Sequence, residues 1–436
     1  MKRAPHKISA KPASIQRLQL SVAVNGENRE WQIAPGDLLL DVLRREGYYG
    51  VKRGCETGEC GACTVLLDGK PVTSCMIFAA QVNGRKITTI EGIGENGVLD
   101  DIQKTLVAHG AVQCGFCTPG LVLTAETFLA GNPHATERQI AEALSGNLCR
   151  CTGYKKPMEA LALASRHEKC ESRCNDHEHA VVGHSIEKVD AAKLVSGRPA
   201  FTDDISIRGM LTGKILASPH AHARIKHIDA SKAKALPGVR AVLTYKDVPR
   251  VPHTTAGQGW PEPSPYDTYL LDNKVRFAGD RVAAVAAESR AIAEEALRLI
   301  EVEYELLPAV LDMERATQGA AIHDEPDSKG IHDAQHNIAA EIHKQLGDVE
   351  AGFRESDVII EREFRSHRQQ HAMLEPHVTI TWLDPDDRLV IRSSTQIPFH
   401  VRRQVAMILQ IPLNRIHVVK PRIGGGFGGK QEMVLE

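Results

Sequence analysis

The chain of 436 residues is poor in aromatics and almost without net charge. Phe, Trp and Tyr make up 4% of it, and 53 Lys plus Arg stand against 55 Asp plus Glu, a formal charge of -2. Few rings on which bases can stack and no basic field argue against nucleic-acid binding and against attraction to an anionic membrane. No run of uncharged apolar residues is long enough to span a bilayer, so no membrane helix is expected. The basic opening MKRAPHKISAKPAS has no apolar run behind it, so it does not read as a secretory signal, and a cytoplasmic location is expected. No internal repeat is found. A hydrophobic content of 42% with 25% charged residues is that of ordinary globular domains, and the length suggests about two to four of them.

Cysteine is what the chain does have, ten in all. In a reducing compartment that number points to metal ligation or redox work before disulfides. Cys55, Cys60 and Cys63 lie in GCETGECGAC with four and then two residues between them, and Cys75 follows, which is the plant-type 2Fe-2S spacing. Gly54, Gly58 and Gly61 let the backbone wrap tightly and aim N–H groups at anionic sulfur. A second set comprises Cys114 and Cys117 in QCGFCTPG and Cys149 and Cys151 in NLCRCTGY. Four thiolates also suit a structural zinc, although a Cys-x-Cys pair is unusual for a zinc ribbon. Apolar helical stretches follow each pair, so two helices are expected to present paired ligands at their starts. Cys170 and Cys174, flanked by His167, His177 and His179, admit a zinc site or a solvated linker; their irregular spacing and charged surroundings favour the linker, and no metal is assigned there.

The string LQLSVAVNGENREWQI alternates around Asn-Gly, and TVLLDGKPVTSC repeats the pattern around Asp-Gly, so two hairpins are predicted. PGDLLLDVLRREG between them reads as a short helix. Residues Asp100 to Ser165 show helical periodicity. Beyond the charged stretch, strand-like GMLTGKILAS and RAVLTYKDV alternate with helical AIAEEALRLIEV.

Near the end, a strand-like RIHVV precedes the run GGGFGGK. Gly424, Gly429 and Lys430 nearly match a nucleotide P-loop, but Gln431 stands where Ser or Thr must ligate magnesium. Gly424, Gly426 and Gly429 satisfy a dinucleotide GxGxxG pattern without the acidic ribose ligand about 20 residues on. His367 and His371 are four apart, yet Arg368 replaces the glutamate that a zinc-protease motif requires, so both read as structural.

The plant-type cysteine set followed by QCGFCTPG and NLCRCTGY resembles the iron-sulfur module of the molybdenum hydroxylases, the family of xanthine dehydrogenase and aldehyde oxidoreductase. The segments from GHSIEKVD to LLPAV resemble the first part of that family's molybdenum subunit. The resemblance implies an α+β chain: a β-grasp 2Fe-2S ferredoxin-like domain over 15–95, a helical 2Fe-2S domain over 96–165, a linker over 166–180, an a/b hammerhead-like domain over 181–315, and the start of a molybdopterin-binding domain over 335–436. It implies that Cys55, Cys60, Cys63 and Cys75 hold the cluster distal from molybdenum. Cys114, Cys117, Cys149 and Cys151 would hold the proximal one, with Gln113 and Cys151 also touching the pterin. SSTQIP matches a family motif that places the glutamine amide against an oxygen ligand of molybdenum, so Gln396, Gly426 and Phe427 are expected to contact the molybdenum-pterin cofactor.

Where purine-oxidising members commonly carry a glutamate after GGK, this chain has Gln431, a departure that counts against a purine substrate. The general base of the family lies far downstream of GGGFGG, so no catalytic residue is assigned here. A split enzyme is therefore expected, completed by a second molybdenum-subunit polypeptide and passing electrons to an FAD-binding subunit, with an N-heterocycle or aldehyde as substrate. An electron-transfer module alone, or a truncated gene product, is the alternative.

Overall fold

The computed structural model describes residues 17–94, 97–168, 182–183, 186–255 and 264–433. Cys170, Cys174, His177 and His179 lie outside them. The chain divides into two compact units. The first runs to Ile205 and includes 372–378 and 421–427; the second takes 206–371, 379–420 and 428 onward.

In the first unit, β1 (Leu18–Val24) turns back into β2 (Glu27–Ile33) at Asn25 and Gly26, whose φ values of 52° and 85° are the two left-handed residues of a tight hairpin turn. The same device joins β3 (Thr64–Leu67) to β4 (Lys70–Thr73) at Asp68 and Gly69. With β5 (Lys86–Thr88) they form a mixed sheet in the order β2-β1-β5-β3-β4, β1 and β5 running parallel. Alternate residues Leu20, Val22 and Val24 face inward and share a core with Leu39, Leu40, Val42 and Leu43 of α1 (Leu39–Arg45), the short helix expected from the sequence.

The helical half of this unit holds α2 (Asp101–Ala108), α3 (Thr118–Gly131), α4 (Glu137–Ala143) and α5 (Lys155–Ser165). Capping boxes start α2 and α4: Asp100 and Thr136 accept from the backbone N–H groups of Gln103 and Gln139, whose side chains answer. Residues 186–205, assigned to the hammerhead-like domain, pack here, because α6 (Ala191–Val195) and Phe201 bury apolar side chains in the helical core.

Asp204 fixes that segment. Its carboxylate accepts from Lys52 Nζ at 2.8 Å and from the backbone N–H groups of Ala200 and Phe201, and the Arg44 guanidinium lies 3.4 Å away. Lys52 and Asp204 are both almost wholly buried. Burial lowers the Lys52 pKa, and the Asp204 charge opposes that shift.

The second unit begins with two antiparallel three-stranded sheets. One has the order β6-β10-β8, from β6 (Thr212–Ala217), β8 (Val239–Thr244) and β10 (Arg281–Ala287). The other has the order β11-β7-β9, from β7 (Ala223–Asp229), β9 (Lys274–Val275) and β11 (Glu301–Leu306). The helices α7 (Ser231–Ala235) and α8 (Arg290–Arg298) bury Ala233, Ala293 and Ala296 in the core that the sheets share. After α9 (Val349–Glu355), a third sheet comprises β12 (Thr379–Leu383), β13 (Leu389–Ser393) and β14 (Ile416–Val419), covered by α10 (Pro398–Leu409). Among the described residues no helix is long and apolar enough to cross a membrane.

Candidate iron-sulfur and molybdopterin sites

Cys55, Cys60 and Cys63 lie on the loop between α1 and β3, and Cys75 sits on a single 3-10 turn directly after β4. The hairpin thus folds the fourth cysteine back onto the third: Ser74 donates to the Cys63 carbonyl through both its hydroxyl, at 2.8 Å, and its backbone N–H. Cys55 Sγ accepts from the N–H groups of Thr57 and Cys60, each at 3.4 Å. Burial would raise this thiol, but the Thr57 side chain, together with those N–H groups and the Cys60 side chain, outweighs it and holds the pKa at about 6. Burial pushes the Cys63 thiol up to about 12, with Cys75 adding to it. Gly54 faces this loop without a side chain; a Cβ there would stand 2.9 Å from Cys60 Sγ.

The second set sits at two helix starts, as its sequence pattern predicts. Cys114 and Cys117 precede α3, and Cys149 and Cys151 precede α5. Tyr154, in the left-handed region with φ of 64°, turns the chain into α5, and its hydroxyl accepts from the Cys149 N–H at 2.8 Å. Thr152 Oγ1 lies 3.2 Å from Cys149 Sγ. Cys114 is hydrogen-bonded to Cys151, which lowers the former and raises the latter. Cys149 is likewise lowered and Cys117 raised by their mutual contact. A lowered and a raised thiol side by side mark two sulfurs close enough to share a proton.

The eight described cysteines are all free: Cys55 lies against Cys60 and Cys63 against Cys75, while Cys114, Cys151, Cys149 and Cys117 form one connected series in which Cys149 touches both Cys117 and Cys151. Among the described residues no three His, Cys, Asp or Glu side chains gather around a point where one ion would sit. Each set of four thiols offers the four sulfur ligands that a binuclear 2Fe-2S cluster takes. Gln113 lines the same cavity as Cys114, Cys117, Cys149 and Cys151, so the expected proximal set and its expected pterin neighbour are brought together.

Gln396 follows β13, one residue past the buried Thr395. Its Oε1 accepts from the Gly428 N–H at 3.0 Å and the Lys430 N–H at 3.3 Å, while its own N–H donates to the Lys430 carbonyl at 2.8 Å. Only the oxygen end of an amide can accept two N–H groups, so the NH2 end is left to donate. That is the end a metal-bound oxygen would require.

The GGGFGG run is divided between the units. Gly426 is buried with the first and Phe427 is exposed there with φ of 53°, whereas Gly428 belongs to the second. His367 and His371 lie on an exposed stretch without regular structure, so they share no helical face.

Sequence reasoning missed Glu375. It is 1% exposed, accepts from the Gly424 N–H at 2.6 Å, and its backbone N–H donates to the Gly424 carbonyl at 3.2 Å. A Cβ on Gly424 would lie 2.7 Å from the Phe116 ring, beside Cys117 in sequence. The only sequence signal was a carboxylate inside an apolar stretch, MLEP, which does not name its partner.

With this geometry in place, comparisons with known proteins are informative. Family models match as follows: a 2Fe-2S iron-sulfur cluster binding domain over residues 22–87, a 2Fe-2S binding domain over 89–162, an aldehyde oxidase and xanthine dehydrogenase a/b hammerhead domain over 196–308, and a molybdopterin cofactor-binding domain over 331–436. The chain is 37% identical over 449 residues to a probable hypoxanthine oxidase of Escherichia coli, covering 95% of this chain and 47% of that protein. It is 45% identical to the nicotinate dehydrogenase small FeS subunit of Eubacterium barkeri, covering 36% of this chain and 99% of that subunit. The solved aldehyde oxidoreductase of Desulfovibrio gigas superposes with a TM-score of 0.82 at 32% identity, covering 95% of this chain and 47% of that one.

The matched domains are those of an iron-sulfur and molybdopterin chain, with binding domains for two 2Fe-2S clusters and for the molybdenum-pterin cofactor. The chain belongs to the molybdenum hydroxylase family, that of xanthine dehydrogenase and aldehyde oxidoreductase. It spans about half the length of the relatives that match it throughout. Its iron-sulfur part corresponds to a separate subunit in the nicotinate enzyme.

Proposed function

We propose that this chain is the iron-sulfur and partial molybdenum-site component of a cytoplasmic molybdenum hydroxylase that oxidises an N-heterocycle or an aldehyde with water. The observation that supports the proposal is the gathering of the eight cysteines in two sets of four, one on the loop before β3 and the turn after β4, the other at the starts of α3 and α5. Cys55, Cys60, Cys63 and Cys75 hold the distal cluster, and Cys114, Cys117, Cys149 and Cys151 the proximal one. Loading releases the protons these thiols share, so iron uptake is favoured as pH rises.

Bound molybdenum-pterin supplies the two-electron oxidation of substrate carbon. Gln396, oriented by Gly428 and Lys430, would offer its amide NH2 to an oxygen on the metal. Gln113 and Cys151 would contact the pterin, and Gly426 and Phe427 would help hold the cofactor. The names of the relatives include a hypoxanthine oxidase, an aldehyde oxidoreductase and a nicotinate dehydrogenase, in keeping with either substrate class. A second molybdenum-subunit polypeptide completes the active site, and an FAD-binding subunit receives the electrons.

Iron and molybdenum per chain, measured on the complex from its native host, test this. About four irons and one molybdenum are expected. Four irons without molybdenum would leave electron transfer as the chain's sole role. In the loaded complex, Cys114→Ser removes one of two paramagnetic signals and Gln396→Ala slows turnover at unchanged iron content; two intact signals in the first variant would sink the ligand assignment.

A further inference from the structure

Residues 372–378 belong to the first unit although they lie far along the chain from most of it. Leu374 packs on the helical core, and its carbonyl would stand 3.4 Å from a Cβ on Gly54, the residue before Cys55. One residue on, the Glu375 side chain turns to the other cysteine set. A Cβ on Gly424 would stand 2.4 Å from Glu375 Cβ and 2.7 Å from the Phe116 ring, so both side chains close on the bare Gly424 backbone. Phe116 lies between Cys114 and Cys117, and its backbone N–H donates to the Cys114 sulfur.

A carboxylate here is shielded from water. Glu375 and Phe116 are both buried, and the Phe116 ring meets the Phe201 ring edge to face at 5.1 Å within the apolar core. In such surroundings a Coulomb interaction over several ångströms keeps a size that solvent and salt would remove. Glu375 Oε2 accepts from the Gly424 N–H at 2.6 Å, and a backbone donor favours the ionised form of a carboxyl. The charge reaches the sulfur: Cys114 is lowered by its hydrogen bond to Cys151, and Glu375 acts against that shift.

Electron uptake adds a negative charge to a site whose ligands are already anionic thiolates, and nearby charge is one of the factors that set the potential of such a site. We propose that Glu375 tunes the proximal iron-sulfur site: its buried negative charge opposes the gain of an electron there and holds the reduction potential down. The inference rests on the cysteine assignment of the proposed function. In the step, the proximal site gains one electron released by substrate oxidation and passes it on; no bond is made or broken there and no proton moves. The rival reading is that Glu375 only holds Gly424 in place.

The test uses the full chain with both clusters loaded, reduced stepwise while the two paramagnetic signals are followed. Glu375→Gln keeps the shape and an oxygen for the Gly424 N–H but deletes the charge. The electron affinity of the proximal site is expected to rise about tenfold, a midpoint about 59 mV higher, with the distal midpoint moving less and the iron content retained. Glu375→Asp keeps the charge while withdrawing the oxygen from Gly424, and should leave the proximal midpoint close to that of the parent. An unmoved proximal midpoint in Glu375→Gln, or an equal shift in both variants, would overturn the tuning role in favour of the rival. Equal movement of both midpoints in Glu375→Gln would overturn its assignment to the proximal site. Should that variant fail to load iron, the unaltered chain decides: a proximal midpoint level with pH is expected, whereas a fall of about 59 mV per pH unit means that the carboxyl takes up a proton with the electron and cancels its own charge, which overturns the role. Fewer than two signals in the unaltered chain would remove the cluster assignment itself; two signals with an unmoved midpoint in Glu375→Gln remove only the role of Glu375.

Discussion

In the first unit the candidate ligands are local: Cys114 and Cys117 stand three residues apart before α3, Cys149 and Cys151 two apart before α5, and each pair is placed by the helix that follows. In the second unit Gln396 is set by backbone groups 32 and 34 residues further along the chain. Burial differs as well. The first unit closes two apolar cores around its cysteine loops. The second leaves Ile342, Leu346, Phe353, Val358, Ile359, Ile360 and Phe364 more than half exposed. Short-range motifs inside a closed core give a site whose geometry survives on its own, whereas a site gathered from distant segments depends on everything that packs those segments.

The sharpest break in this comparison should come from Asp204. Replacing it with alanine strands the buried Lys52 and Arg44 cations, at a cost of about 3–5 kcal/mol. Hydrogen exchange in β1 and α3 should accelerate while β10 keeps its protection; equal loss in both units would mean that they do not behave separately. Gly61→Ala comes next, since overpacking against the Gly146 carbonyl adds to a left-handed φ, about 2–4 kcal/mol in all. Thermal unfolding and iron content should both fall.

Gln396→Ala acts on the other unit. It leaves the N–H groups of Gly428 and Lys430 without their acceptor, worth about 1–3 kcal/mol. Exchange at those two amides should rise while the cysteine loops are unaffected.

The smallest effect is on pH dependence, and it has opposite sign in the two units. Burial, and Asp100 beside it, raise the Glu126 carboxyl from 4.5 to about 8. The folded first unit therefore binds a proton that the unfolded chain has lost, and this contribution fades as pH rises from 4.5 through 8. Burial lowers His253 in the second unit from 6.5 to about 4. There the unfolded chain binds more protons, so stability falls as pH drops from 6.5 through 4. Exchange followed in β1 and β10 across this range should show the two opposed slopes, and Glu126→Gln should flatten only the first.

Much of the first unit was legible in the residues. Asn25-Gly26 and Asp68-Gly69 named both hairpins, because few pairs other than these tolerate two successive left-handed conformations. The cysteine spacings named the cluster chemistry. The place of residues 186–205 was not legible: nothing local to Leu194 or Phe201 says which core receives them. Nor was the grip of Asp204 on Lys52, 152 residues away.

The sequence by itself determined the turns, the helix starts and the identity of the metal-binding residue types, since these depend on backbone sterics and on the spacing of thiols within a few residues. Only the tertiary structure decided which thiols meet, which end of the Gln396 amide is left to donate, and how closely Cys60 meets Leu148. Those outcomes depend on distances between segments far apart in the chain, and such distances are fixed by packing rather than by local conformational preference.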